Sequence, residues 1–519
     1  MSKNIIRKSS SASLAILISR IAGLARDILV ARYIGGGAVM SAWVLAFKIP
    51  NTFRGLLGEG AATQAVVPMM GHLVKRDGID SARRQLGILL ATLAVVLCII
   101  TFAVSAASII LEPYFDVLRV NLALRLLPIL MPYTIFVCLT AICCGILNLF
   151  GRFFWPAMSS VILNIAIILP LFIFYRADPL ILVNRISWAV LISGFVQLAI
   201  MLIMLKKIDM FPYPFKPALF KEPVIREFIN LTIPGFIGAA AMQVNSLVDS
   251  FIALYIGNYA APALYFSERL IYLPVGIFAV SIANACLVTM SKHAAENKYL
   301  NIILDLRYSL KQIFYISLPV TVYFIVFRFS IITLVYGGDK FGSQDIYETA
   351  WAMLFYSFGI PAFCALKVIV SAFYSRKKMK TPVKVSLICI GINFILNLIL
   401  MFPLQQGGIA LATSISSVIN CVTLLIILKK DIPNIKKSTE VLKSFIQILF
   451  TSIVTGGITY YFVSWLFNYS YLIRINYREV GTVIISFFVF VVIYLAISAI
   501  MKSKEQNEWF ELIKGKLLK

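Results

Sequence analysis

Apolar residues run through this chain in long windows separated by short polar, mostly basic segments. The windows lie near 11–34, 41–69, 86–111, 120–149, 153–175, 184–205, 227–257, 261–290, 308–337, 346–374, 383–403, 407–428, 442–467 and 480–501. Each is long enough for an α-helix to cross a hydrocarbon core of about 30 Å, which takes about 20 residues. Only helices and closed barrels can span lipid, and windows of this length are helical. The pattern predicts an all-α polytopic membrane protein of about 14 transmembrane helices. The longest polar break in the first half, Lys206 to Arg226, holds Pro212, Pro214 and Pro217 and divides six helices from eight. A helix end at Phe150-Gly151-Arg152 with Pro156 beyond it is loosely matched by Phe373-Tyr374-Ser375-Arg376 with Thr381-Pro382. The expected organisation is an N-lobe of helices 1–6 (1–205), a linker (206–226), a C-lobe of helices 7–12 (227–430), and a C-terminal helix pair with a basic tail (431–519). The tail after Lys502 reads as a solvated or membrane-surface segment.

Composition sharpens this picture. The chain is 60% hydrophobic and 13% charged over 519 residues, outside the range of ordinary soluble domains. The net charge of +24 comes from clusters between spans. Examples are Lys75, Arg76, Arg83 and Arg84; Lys206, Lys207, Lys216 and Lys221; Arg376, Lys377, Lys378 and Lys380; and Lys429, Lys430, Lys436 and Lys437. These fall in alternate connections, so the charge reports topology, with both termini cytoplasmic, and no nucleic-acid partner is expected. The first apolar stretch contains Arg20 and Arg26 and lacks a clear cleavage site, so it reads as a retained helix. The eight cysteines all sit in apolar runs and read as small core residues. Two histidines, no metal or nucleophile motif, and acidic residues scattered over Asp116, Asp178, Asp339 and Asp345 argue against an enzyme. No phosphate-binding loop for a nucleotide is present, and no cofactor is expected.

The informative positions are ionisable groups inside the spans. Even on the lower estimates, a charge at a helix centre costs about 2.5–3.5 kcal/mol. Helix one holds Arg20, Arg26 and Asp27; helix two Lys48, Arg54 and Glu59; helix seven Asp249; helix eight Glu268 and Arg269. Some can pair with one another, but the basic members outnumber the acidic ones. Arginine keeps its charge and grips phosphate oxygens with two parallel N–H groups, so the set points to an anion such as a diphosphate. Gly23 permits close approach or bending on helix one, and Pro50, Gly58 and Gly60 break helix two. Asp249 with Asn393, Asn397 and Thr413 has the oxygen donors of a Na+ site, and equally those of an interhelical hydrogen-bond cluster.

These residues carry a resemblance. Ser19-Arg20-Ile21-Ala22-Gly23-Leu24-Ala25-Arg26-Asp27, Ala46-Phe47-Lys48-Ile49-Pro50-Asn51, Arg54 and Gly58-Glu59-Gly60-Ala61 are similar to the N-terminal signature of the MurJ/MviN family. Tyr265-Phe266-Ser267-Glu268-Arg269-Leu270 and Lys380-Thr381-Pro382-Val383-Lys384 resemble later motifs in the same order. The resemblance implies a lipid II flippase of the MATE-like MOP superfamily in the bacterial inner membrane. It further implies two six-helix lobes around a cationic cavity, a terminal helix pair forming a groove for the polyprenyl tail, and alternating access. By position it carries the substrate-binding role to Arg20, Arg26, Arg54 and Arg269, with Glu59 beside them. The implied partner is lipid II within the membrane, with cell-wall synthesis proteins as further candidates. Driving forces would be membrane potential and Na+. Ser41, where many members carry aspartate, and Val288, where proline is usual, depart from the pattern. Another polyprenyl-diphosphate glycan, or a MATE-like exporter, is the alternative cargo class.

Overall fold

The computed structural model describes residues 2–58, 61–213, 222–431, 439–469, 475–508 and 511. Glu59 and Gly60, much of the linker with Lys216 and Lys221, Lys436 and Lys437, and most of the basic tail lie outside the described residues. The described structure is helical, with no strand. Among the described residues, ten helices are long and apolar enough to cross a membrane, or eleven if a pair bent by 44° counts as one. The further predicted spans fall on the charged first helix, the broken second one, and the seventh.

One compact unit comprises Met1–Pro262 with Gly338–Gly342. It contains α1 (Ser2–Ile34), α2 (Ala38–Phe53), α3 (Ala61–Leu111), α4 (Leu118–Leu149), α5 (Phe154–Ile173), α6 (Pro179–Lys206) and α7 (Pro223–Ile256). Helix α1 packs on α5, α5 on α6, α6 on α4, and α4 on α2 and α3; α7 lies along α2 and α3. The windows at 41–69 and 86–111 are not separated by a loop. The second half of the former continues into the latter across a kink at Gly78, whose φ of 81° suits only glycine at low strain. At the start of α6, Asp178 accepts a bond from Leu180 N (2.9 Å) and Pro179 needs no donor partner. Trp43 stacks on Phe47 with centroids 5.0 Å apart. The fully buried Tyr133 packs against Gly194, where an added Cβ would sit 2.7 Å from its ring.

The second unit comprises Ala263–Gly337 and Ser343–Lys519. Its helices are most of α8 (Ala260–Pro274), α9 (Val280–Ala295), α10 (Tyr299–Tyr336), α11 (Ser343–Ser357), α12 (Ile360–Ser375), α13 (Lys380–Leu404), α14 (Gln406–Asp431), α15 (Glu440–Tyr469) and α16 (Ile475–Ile500). Helix α10 is central, touching α9, α11, α12, α15 and α16. Tyrosine hydroxyls fasten α16 to it: Tyr323 donates to Val483 O (3.1 Å), and Tyr494 donates to Tyr315 O (2.9 Å). The two helix ends matched in sequence close in the same way. Arg152 N bonds Leu147 O (2.8 Å) with Gly151 N on Asn148 O (3.0 Å); Lys378 N bonds Phe373 O (3.0 Å) with Lys377 N on Tyr374 O (3.0 Å). Gly151 and Lys377 both adopt positive φ, the cap that satisfies the last helical carbonyls.

Candidate substrate-binding site

In α1 the neighbours Arg26 and Asp27 turn toward each other, and one carboxylate oxygen receives both Arg26 Nε (2.9 Å) and Nη2 (2.7 Å). The third edge of the guanidinium is taken by α5: Arg26 Nη1 donates to Asn164 Oδ1 (2.9 Å), and Asn164 Nδ2 donates to Ser19 O (3.2 Å). All three side chains are buried, at 8%, 3% and 5% exposure. A buried charge needs such a complete set of partners. At Gly23 the two helices come close, for a Cβ there would meet Asn164 Nδ2 at 3.7 Å. Arg20, one turn earlier, is exposed.

Pro50 lies inside α2, and the helix passes into a single π turn over Arg54–Gly58. Proline withholds the donor of one regular bond, and π turns recur at functional sites. Lys48, half-buried one turn before Thr52, has its carbonyl held by Thr52 Oγ1 (2.9 Å). Gly55 allows close approach to α7, because a Cβ there would fall 2.7 Å from Gln243 Nε2. Arg54 lines an open cavity of about 420 Å³ whose wall is made by residues of α3, α4, α5 and α6. Its polar wall includes Thr63, Thr140, Asn148, Ser160 and Gln197.

In the second unit, Arg269 is exposed and places its guanidinium 5.0 Å from the Tyr265 ring centroid, one turn back on α8. Pro274 is followed by a π turn over Val275–Ala279, the same sequence of events as after Pro50. Asn393, Asn397 and Thr413 come together: Asn397 Nδ2 donates to Asn393 Oδ1 (3.1 Å), and Asn393 Nδ2 donates to Thr413 Oγ1 (3.3 Å). Ser416 joins them at 3.5 Å. Asp249 belongs to the first unit, half-buried and accepting from Asn245 Nδ2 (3.4 Å). Among the described residues no group of three or more His, Cys, Asp or Glu side chains could hold a metal.

Sequence reading missed Asn164, Thr140, Gln197 and Ser416. Each is a polar residue within an apolar run, the same signal that singled out the charges, but uncharged and therefore less conspicuous. It also placed every cysteine in the core, whereas Cys98 is exposed and Cys144 lines the cavity.

Apolar spans in this number, with a buried, partnered arginine and a polar cavity among the described residues, define a multi-pass helical membrane protein. The family model described as "Lipid II flippase MurJ" matches residues 30–478. A probable lipid II flippase MurJ of Buchnera aphidicola (subsp. Schizaphis graminum) is 30% identical over 80% of this chain and 82% of its own length. The lipid II flippase MurJ of Burkholderia cenocepacia is 26% identical, over 88% and 90%. A solved lipid II flippase MurJ in an inward closed conformation superposes with a TM-score of 0.75 at 25% identity, covering 94% of this chain and 98% of that one. A multidrug MATE transporter of the MOP superfamily shares the fold, with a TM-score of 0.65 at 14% identity. The chain belongs to the MurJ lipid II flippase family, whose members are transporters and not enzymes.

Proposed function

We propose that the chain moves lipid II from the inner to the outer leaflet by alternating access. The observation that carries this reading is Arg26, buried in α1 and fixed on three edges by Asp27 and Asn164, in a chain of this family. In the proposed cycle Arg20, Arg26, Arg54, Arg269 and Lys48 hold the diphosphate. The two six-helix lobes rock around it while the polyprenyl tail stays in lipid along the terminal helix pair. The π turns after Pro50 and Pro274, with Gly23 and Gly58, are the points at which the helices bend in this cycle. Moving an anion outward down an inside-negative potential releases about 2.3 kcal/mol per charge per 100 mV, so no nucleotide is required.

The amide and hydroxyl oxygens that Asn393, Asn397 and Thr413 bring together are hard donors of the kind Na+ takes, which supports Na+ as a coupling ion. Lipid II exposure that rises with a Na+ gradient, and loses that response in Asn397→Leu, would support this ion site. An equal response in both would leave only the hydrogen-bond cluster.

The test of transport is complementation of a bacterium depleted of its own lipid II flippase, following outward exposure of lipid II. Rescue by wild type and its loss in an equally expressed Arg26→Ala supports the reading. Wild type that inserts but fails to rescue, while exposing another polyprenyl-linked glycan, assigns that cargo instead. Unimpaired flipping in alanine variants at all four arginines sinks the cationic route.

A further inference from the structure

The cavity beside Arg54 is not an anion site alone. Its described lining contains one cation and no carboxylate, and the remaining polar groups are uncharged hydroxyls and amides. A cationic ligand would find no counter-charge there, and an acyl chain would leave this polar wall unsatisfied. The volume of about 420 Å³ falls within the roughly 300–1,000 Å³ of pockets that take small organic ligands.

The wall is also incompletely satisfied. Thr140 is 2% exposed, yet its hydroxyl has no hydrogen-bond partner among the described residues. A threonine in mid-helix normally turns its hydroxyl back to a carbonyl of the preceding turn, and a buried hydroxyl left unmatched is costly. On the α6 side of the same cavity, Gln197 is 2% exposed, with Oε1 accepting from Ser159 Oγ (2.8 Å) and Nε2 reaching Ser193 Oγ at 3.4 Å. The Gln197 amide is thereby held in orientation by its neighbours, at no cost to an incoming ligand.

We propose that this cavity is a sugar subsite, taking the first sugar of a diphosphate-linked glycan while Arg54 holds the adjoining phosphate. The proposal rests on the transport reading above and adds to it a place for the uncharged part of the head group. Ring hydroxyls and an N-acetyl amide supply a partner for the unmatched Thr140 hydroxyl and further contacts for the Ser160 hydroxyl and the Gln197 amide on the same wall. Arg54, the first residue of the π turn, meets the anionic edge of the same ligand. Cys144 on the cavity wall provides a native reporter.

The experiment uses the full chain purified in detergent and three probes: undecaprenyl diphosphate, the same lipid bearing an N-acetylated disaccharide without peptide, and soluble UDP-N-acetylglucosamine. Binding is read as dissociation constants and as protection of Cys144 from a methanethiosulfonate reagent, with the other cysteines replaced. Thr140→Val keeps the shape and removes the unmatched hydroxyl, so its thermal midpoint rises or holds. Its affinity for the disaccharide lipid falls about tenfold, the worth of one good hydrogen bond to a buried group, and its affinity for undecaprenyl diphosphate does not change. Gln197→Leu acts in the same direction. Equal weakening of both lipids, or weakening of neither, overturns the sugar subsite. So does protection of Cys144 by UDP-N-acetylglucosamine as strong as by the disaccharide lipid, which would assign the cavity to a soluble sugar phosphate. Wild type that binds undecaprenyl diphosphate but gains nothing from the sugars overturns the subsite and leaves diphosphate recognition standing. Wild type that binds neither lipid overturns both.

Discussion

Asn164→Ala removes the α5 contact that holds Arg26. Two bonds disappear: the acceptor for Arg26 Nη1 at 2.9 Å and the donor to Ser19 O at 3.2 Å. A hydrogen bond to a charged group contributes roughly 1.5–3 kcal/mol and a neutral one roughly 0.5–1.5. The side chain is 5% exposed, so little water is at hand to replace them. The expected loss is about 2–4 kcal/mol, read from unfolding of the purified chain in a denaturing detergent series. Lipid II exposure should fall with it, because the guanidinium loses one of its three fixed edges. Asn164→Asp separates the two effects: it keeps an acceptor for Arg26 and so retains more stability, but a second carboxylate beside the Arg26–Asp27 pair leaves a net negative charge that repels an anion, and export still falls. Stability within about 0.5 kcal/mol of wild type together with normal export in Asn164→Ala would refute the account of Arg26 as a held, charge-matched group.

Arg119 ties α4 to the end of α7 through Leu254 O (2.7 Å), Asn258 Oδ1 (2.9 Å) and Tyr255 O (3.4 Å), so Arg119→Ala should speed amide exchange over 254–259 by about tenfold or more, with no change at α5. At Gly87 an added Cβ would fall 2.2 Å from Tyr213 O, a backbone atom that cannot swing aside, so Gly87→Ala should lower the thermal midpoint while Gly391→Ala, with open space, should not. In the exposed connection after α9, the hydrogen bond and charge of Lys298 hold the Glu296 carboxyl below its ordinary value. The pair is therefore intact above the usual carboxylate range and is released as pH falls through the lowered value. Lys298→Met should raise the pH at which Glu296 takes up its proton, as followed by carbon NMR of that carboxyl; an unchanged midpoint would remove the pairing.

The helical class, the placement of most spans and the location of the buried charges follow from sequence alone, because a bilayer imposes local rules. About 20 apolar residues make a span, and a charge within one demands an explanation wherever it sits. The matched helix ends at Phe150-Gly151-Arg152 and Phe373–Arg376 were legible for the same reason, since a cap is made within a few residues. The tertiary structure decided what lies between helices distant in the chain. In water, burial sorts apolar residues from polar ones, but lipid is as apolar as leucine, so the lipid-facing Phe102, 76% exposed, and the buried Leu97 look alike in sequence. Nothing in the periodicity of α5 could say that Asn164 meets Arg26, or that Thr140 and Gln197 share a cavity with Arg54. The continuation of one span into the next at Gly78 and the passage of α2 into a π turn likewise depend on packing around them. Those pairings are set by helices distant in the chain, such as those of Arg26 and Asn164, 138 positions apart, and only the folded chain brings them together.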